Sequence, residues 1–216
     1  AEALDAFAQA QDPALSRLRG KIPLVLVPVA NPQSAPGLVA VANSLTPDGV
    51  GKVLLLTVMR PPSRLVNGDQ EMDYERLDAG QLVMQQALRA SWAAGQAPEA
   101  LLTTAEDAWD EIERVARTHR CESLVLGLSE LEGVKGGQLE KLLNRVQCEV
   151  VVVRAPPHFD LKEARNVLVP IGGRGRQDEI RARLLGALTR HRGQRRIRFC
   201  AVVEEAAPPE VAAARE

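Results

Sequence analysis

The stretch from Ser123 to Arg154, SLVLGLSELEGVKGGQLEKLLNRVQCEVVVVR, constrains the fold of this chain more than any other. Two apolar runs, Ser123–Leu126 and Val150–Val153, enclose a glycine-bearing loop and a helical pattern with Leu139, Leu142, Leu143 and Val146 on one face. Apolar runs on both sides of an amphipathic helix predict a βαβ unit with strands buried on both faces. In open α/β sheets ligands sit beyond the carboxyl ends of such strands, often at a helix N-terminus. The loop that follows Leu126 is therefore where this chain would hold a phosphate.

The same alternation fills the sequence before it. PLVLVPV at Pro23–Val29 and VLLLTV at Val53–Val58 predict buried strands. Between them a helix over Pro36–Leu45, with Ser34 as N-cap, places Val39, Ala42 and Asn43 at helical spacing. The polar segment Met59–Asp73, with Pro61-Pro62 and Asn67-Gly68, predicts a mobile loop. A long helix over Tyr74–Ala94 follows, its apolar face drawn from Leu77, Val83, Met84, Ala87, Leu88 and Trp92, and Gly95 closes it. Ala100–Thr104 predicts a short strand. Asp107–Thr118 predicts a helix capped by Asp107, with Trp109, Ile112, Val115 and Ala116 toward the sheet. The order β-α-β-α-β-α-β-α-β predicts an α/β domain, an open five-stranded parallel sheet with helices on both faces.

An internal repeat extends this organisation. RNVLVPI at Arg165–Ile171 echoes PLVLVPV and precedes a glycine-rich loop, a helix over Asp178–Arg190 and a strand at Ile197–Val203. The expected division is a helical connector over 1–20, a domain over 21–155, a linker over 156–164 begun by Pro156-Pro157, and a partial second copy over 165–216. The chain begins AEALDAF without methionine, which reads as a boundary or a processed start.

Composition narrows the function classes. Lys and Arg number 27 against 28 Asp and Glu, so no global charge favours nucleic acid. Cys121, Cys148 and Cys200 are too widely spaced for a disulfide framework or a zinc pattern, and point to a reducing compartment. No apolar run approaches the ~18 residues that a membrane span needs. His119, His158 and His191 stand in no metal-ligand spacing and read as surface residues. Ser34, Ser129 and Cys148 lie in no nucleophile motif; Cys148 reads as a small buried apolar group. Asp110, Glu111 and Glu113 read as a solvated helix face. No enzyme is expected. Arginine at 174, 176, 181, 183, 190, 192, 195, 196 and 198 forms a basic segment that reads as a solvated helix face, with contact to anionic lipid or an acidic partner as the alternative.

The element order, the repeat and Gly127–Arg154 together resemble the universal stress protein fold, a flavodoxin-like three-layer arrangement. Gly136-Gly137 stands twelve and eleven residues before Cys148, where that family has Gly-Ser or Gly-Thr. Cys148–Arg154 is similar to the family's fifth strand, with Glu149 in place of the usual proline. Ile22–Pro62 also resembles the tandem cytosolic C-terminal domains of prokaryotic transporters of the amino-acid permease and cation–chloride cotransporter type. That likeness implies a non-catalytic regulatory and assembly role, a homodimer, attachment to a membrane domain of the same polypeptide, and a cytoplasmic place at the inner face of the membrane. The alternative is a soluble, nucleotide-binding universal stress protein.

The resemblance also says what a nucleotide site would require. ATP-binding members carry an aspartate at the end of the first strand; Ala30 stands here, and Gly172 in the second copy. They wrap the phosphates with Gly-x2-Gly-x9-Gly-Ser/Thr, and counting back from Gly136 puts Leu126 and Ser123 at the first two glycine positions. Gly127, Gly133, Gly136 and Gly137 are the candidate ligand-loop residues of a shorter loop, in which Gly137 lacks the usual hydroxyl. Glu130 and Glu132 against Lys135 oppose a polyanion. The expectation is no bound cofactor, with ATP or AMP as the nucleotide to test.

Overall fold

The computed structural model describes residues 22–46, 50–61, 71–128, 137–171, 178–190 and 195–201. The connector expected over 1–20 and most of the loop expected over Met59–Asp73 lie outside them. Five strands, β1 (Leu24–Pro28), β2 (Lys52–Met59), β3 (Glu99–Thr104), β4 (Ser123–Gly127) and β5 (Glu149–Val153), alternate with four helices. These are α1 (Ala35–Leu45), α2 (Glu71–Ala93), α3 (Ala108–Thr118) and α4 (Gln138–Arg145). All strand pairs are parallel and the order is β3-β2-β1-β4-β5, so this is the predicted five-stranded α/β sheet.

Side-chain alternation along the strands splits the core in two. Leu24 and Leu26 of β1, Leu54 and Leu56 of β2, and Leu124 and Leu126 of β4 form one layer with Ile112, Val115 and Ala116 of α3 and Leu142 of α4. The residues between them, Val25, Val27, Val53, Leu55 and Val125, are also buried and face the other side, where α1 and α2 pack together. Sealing both faces requires near-continuous apolar strands, as β1 and β2 supply. Asp107 caps α3 as predicted: its Oδ1 accepts from the amides of Trp109 at 2.7 Å and Asp110 at 3.2 Å. Arg145 ties α4 to α3 through Asp110 at 3.1 Å and Glu113 at 3.2 Å.

Four sequence expectations need correction. Trp92 is 59% exposed and Ser91 takes its place inside, because Ser91 lies four residues past Ala87 and seven past Met84 on the buried stripe. Leu143 is 44% exposed, since Leu139, Leu142 and Val146 already fill the contact stripe of a two-turn helix. Glu111 is buried rather than solvated, and its carboxylate takes Arg114 in a two-pronged pair with both contacts at 2.7 Å. His119 is buried, not a surface residue: it forms the C-cap of α3 and its amide donates to the carbonyl of Val115. His158 is exposed, and His191 lies outside the described residues.

Compact packing breaks between Leu161 and Lys162. Beyond it β6 (Asn166–Ile171), α5 (Asp178–Arg190) and β7 (Arg196–Ala201) form a second unit around a parallel two-stranded sheet. The tetrapeptide Val-Leu-Val-Pro occurs in both β1 and β6. In β1, Leu26 pairs with Leu54 and both are fully buried; in β6, Leu168 pairs with Arg198 and is 65% exposed.

Candidate functional site

β1 lies between β2 and β4, so the chain leaving β1 and the chain leaving β4 depart toward opposite sides of the sheet. A crevice opens at such a reversal, beyond the carboxyl ends of the strands. Here it is a cavity of about 820 Å³, floored by the strand ends at Val29 and Leu126. Leu38 of α1 and Trp109 and Ile112 of α3 supply apolar walls. That volume lies within the roughly 300–1,000 Å³ typical of small-molecule sites.

Local sequence builds each wall. The β1–β2 ladder runs one residue past β1, with the amide of Val29 donating to the carbonyl of Leu56 at 2.8 Å. Asn31 then turns the chain. Its Oδ1 accepts from the amide of Gln33 at 2.9 Å, and its carbonyl accepts from Ser34 Oγ at 2.9 Å. Ser34 stands at the N-cap of α1, but its hydroxyl serves this turn and makes no side-chain cap to the helix. Across the crevice the β4–β5 ladder is prolonged by the amide of Leu128 donating to the carbonyl of Val153 at 3.0 Å.

Electrostatically the described lining is plain. Arg154, exposed at the end of β5, is its one charged side chain, and neither a carboxylate nor a histidine lines the cavity among the described residues. A guanidinium and the polar side chains of Asn31, Gln33 and Ser34 beside apolar walls suit a ligand with both an anionic group and an apolar body. No group of three His, Cys, Asp or Glu suited to a metal occurs among the described residues.

Two of the three thiols lie elsewhere in the first unit, Cys121 just before β4 and Cys148 just before β5, at the amino ends of those strands. Burial pushes the Cys121 thiol up to about 12, with Cys148 nearby adding to the shift. Burial likewise raises Cys148 to about 11. Both stay protonated at neutral pH, as inert packing groups do.

Of the four candidate loop glycines, Gly127 lines the cavity at the end of β4. A Cβ there would meet Leu38 Cδ1 at 2.9 Å and Cδ2 at 3.1 Å, so glycine lets α1 close on the strand. Gly137 is the N-cap of α4 at φ 87°, a left-handed value that itself favours glycine, and it is not part of the cavity lining. Gly133 and Gly136 lie outside the described residues. Sequence reasoning missed Phe159, which lines the cavity from beyond β5. The only signal for it was a lone aromatic after the Pro156-Pro157 pair. Trp109 packs toward the sheet as its helical spacing predicts, and it also stands in the cavity wall, which the spacing does not reveal.

Comparison with known proteins places this architecture. The sequence model of the universal stress protein family matches residues 22–154, more than half of the chain. A universal stress protein from Archaeoglobus fulgidus DSM 4304 is similar in structure at a TM-score of 0.52 and 16% identity. That likeness covers 91% of this chain and 74% of that one, and so runs past the first unit. A family protein from Burkholderia pseudomallei is similar at 0.49 and 19% identity, covering 63% of this chain and 98% of that one. An Arabidopsis thaliana family protein with AMP bound is similar at 0.43 and 20% identity, covering 61% and 92%. No curated protein matches significantly. The family model spans every strand of the five-stranded sheet, and on that match this chain belongs to the universal stress protein family.

Proposed function

We propose that the first unit is a non-catalytic nucleotide-binding domain whose occupancy regulates a partner. The observation that carries this reading is the 820 Å³ cavity at the β1/β4 reversal, with apolar walls and Arg154 as its one charged described residue. The base and sugar fit the apolar body of the cavity, and the guanidinium meets a phosphate at the rim. Ala30 stands where the family's ATP binders carry an aspartate, so the adenosine end is held without that carboxylate and binding is weak. The hydroxyl of Ser34 is already donated to Asn31, and among the described lining residues no nucleophile is paired with a base, which supports binding rather than catalysis.

The transporter-attached assembly role implied by Ile22–Pro62 has no such support: the relatives reported above are universal stress proteins. The homodimer and the contact between the basic segment and anionic lipid remain proposals, tested by sedimentation and by vesicle flotation.

Calorimetric titration with AMP and with ATP tests the nucleotide reading. Binding should be detected at millimolar ligand and raise the melting temperature. At a ligand concentration of 100 times Kd the stabilisation is about 2.7 kcal/mol. Arg154→Ala should weaken the phosphate-bearing ligands. Absence of both heat and thermal shift at millimolar AMP and ATP would refute it.

A further inference from the structure

The family match ends at Arg154, yet the residues just beyond it wall the cavity. After β5 the chain reverses. The amide of Phe159 donates to the carbonyl of Pro156 at 3.2 Å, and the amide of His158 donates to the carbonyl of Gln33 at 3.1 Å. His158 adopts φ 59°, a left-handed value that a non-glycine residue takes only when neighbouring contacts hold it there. Pro156 and Pro157 stiffen the approach and carry no amide in need of a partner. The reversal sets Phe159 against the first turn of α1. A Cβ on Gly37 would meet the Phe159 carbonyl at 3.3 Å and its Cδ1 at 3.4 Å.

We infer that Pro156–Phe159 is a strap completing the ligand site, and that the Phe159 ring is the contact for the base of the nucleotide. This rests on the nucleotide reading above. In the facing loop Asn31 Oδ1 is committed to the Gln33 amide and Ser34 Oγ to the Asn31 carbonyl, which leaves the Asn31 Nδ2 and the Gln33 side-chain amide for the polar edge of a ligand. With Ala30 at the end of β1, the described residues offer no carboxylate to that end of a ligand. Grip on the flat face of a base falls to apolar contacts, since amides meet only its edge. Only Trp109 and Phe159 bring aromatic rings to the described lining, and Trp109 packs against the core beneath α3. Phe159 is half-buried on the strap, where a ring can stack on a planar ligand. The cavity is about 820 Å³ with Pro156, Pro157 and Phe159 among its lining, so the strap is a wall and not a plug. Stacking tolerates any base, so the site selects for planarity more than for adenine itself.

The test is calorimetry of the full chain with AMP and ATP for the wild type, Phe159→Leu and Phe159→Trp, alongside melting temperatures. Leucine keeps apolar packing on Gly37 but removes the ring. Phe159→Leu should lose about tenfold in affinity at an unchanged melting temperature, the low end of what a stacked base is worth. Phe159→Trp should stay within about threefold of wild type, because it restores a stacking face. Hydrogen exchange at the His158 amide should slow when ligand binds. Wild-type affinity in Phe159→Leu overturns the strap contact while leaving the nucleotide reading intact, and so does a lowered melting temperature without loss of affinity. Failure of the wild type to bind either nucleotide removes both.

Discussion

Gly127 separates two explanations of a glycine at the end of β4: backbone access for a phosphate, or close approach of a helix. The geometry favours the helix. An added Cβ would lie 2.9 Å and 3.1 Å from the two Leu38 methyls and 3.4 Å from Leu38 Cγ. Ordinary contact begins near 3.4 Å, so the nearer methyl must retreat by about half an ångström. Leu38 is only 3% exposed, and the room it has to give way lies toward the cavity it lines. Overpacking of this kind costs about 1–3 kcal/mol, while removing a glycine from the unfolded chain returns about 0.4–1 kcal/mol. Gly127→Ala should therefore destabilise by about 1 kcal/mol net, read as a lower urea midpoint with an unchanged slope. Leu38→Val should soften that loss, giving a coupling of about 0.5 kcal/mol or more in a double-mutant cycle, as expected for residues in contact. Gly127→Ala at full stability, with additive behaviour alongside Leu38→Val and nucleotide binding abolished, would refute the packing role and make Gly127 a phosphate-loop glycine.

Other perturbations follow from single contacts. Asp107→Ala removes the acceptor for two amides at the start of α3 and should cost about 1 kcal/mol, seen as a lower melting temperature. Leu26→Ala should cost about 2–5 kcal/mol, whereas Leu168→Ala, at a site 65% exposed, should stay within about 0.5 kcal/mol. Chemical denaturation that resolves the two units checks both. Cys121 and Cys148 have folded thiol pKa values above their unfolded ones, so their contribution is intact below the unfolded pKa near 8.5 and fades as pH rises toward about 12 and about 11 respectively. Stability should fall between roughly pH 8.5 and 11, and less steeply in Cys121→Ala.

The sheet was legible because it demands a pattern that little else in a sequence imitates. β1, β2 and β4 must be apolar on both faces, and unbroken runs such as Val53-Leu54-Leu55-Leu56 state that directly. Capping was legible at Asp107, where the acidic residue and the following apolar spacing agree. At Ser34 the same chemistry misled, since a hydroxyl at an N-cap can equally serve the preceding turn, and Asn31 claimed it. Trp92 misled by size: a large apolar residue draws attention, but helical phase put the small Ser91 inside. The cavity was legible in position and not in its walls. Where strands reverse follows from element order, whereas Phe159 arrives by a left-handed turn at His158 that no periodicity announces.

The repeated Val-Leu-Val-Pro shows why a strand's residues do not determine its surroundings. In β1 the leucine is sealed because its register partner, Leu54, and the facing Ile112 and Val115 are apolar too. In β6 the partner is Arg198, flanked by Arg196 opposite Asn166, and the leucine stands in solvent. An arginine at the register of a fully buried leucine could not be enclosed by apolar neighbours without a paired carboxylate, since an unpaired buried charge costs several kcal/mol (roughly 3–5). Among the described residues that face of the second unit is exposed at Leu168, Arg196 and Arg198. The other face sets Val167 beside Ile197 and Val169 beside Phe199, and there Val169 is buried while Phe199 is 60% exposed. The same four residues thus meet different partners in the two strands, and only the pairing register reveals which.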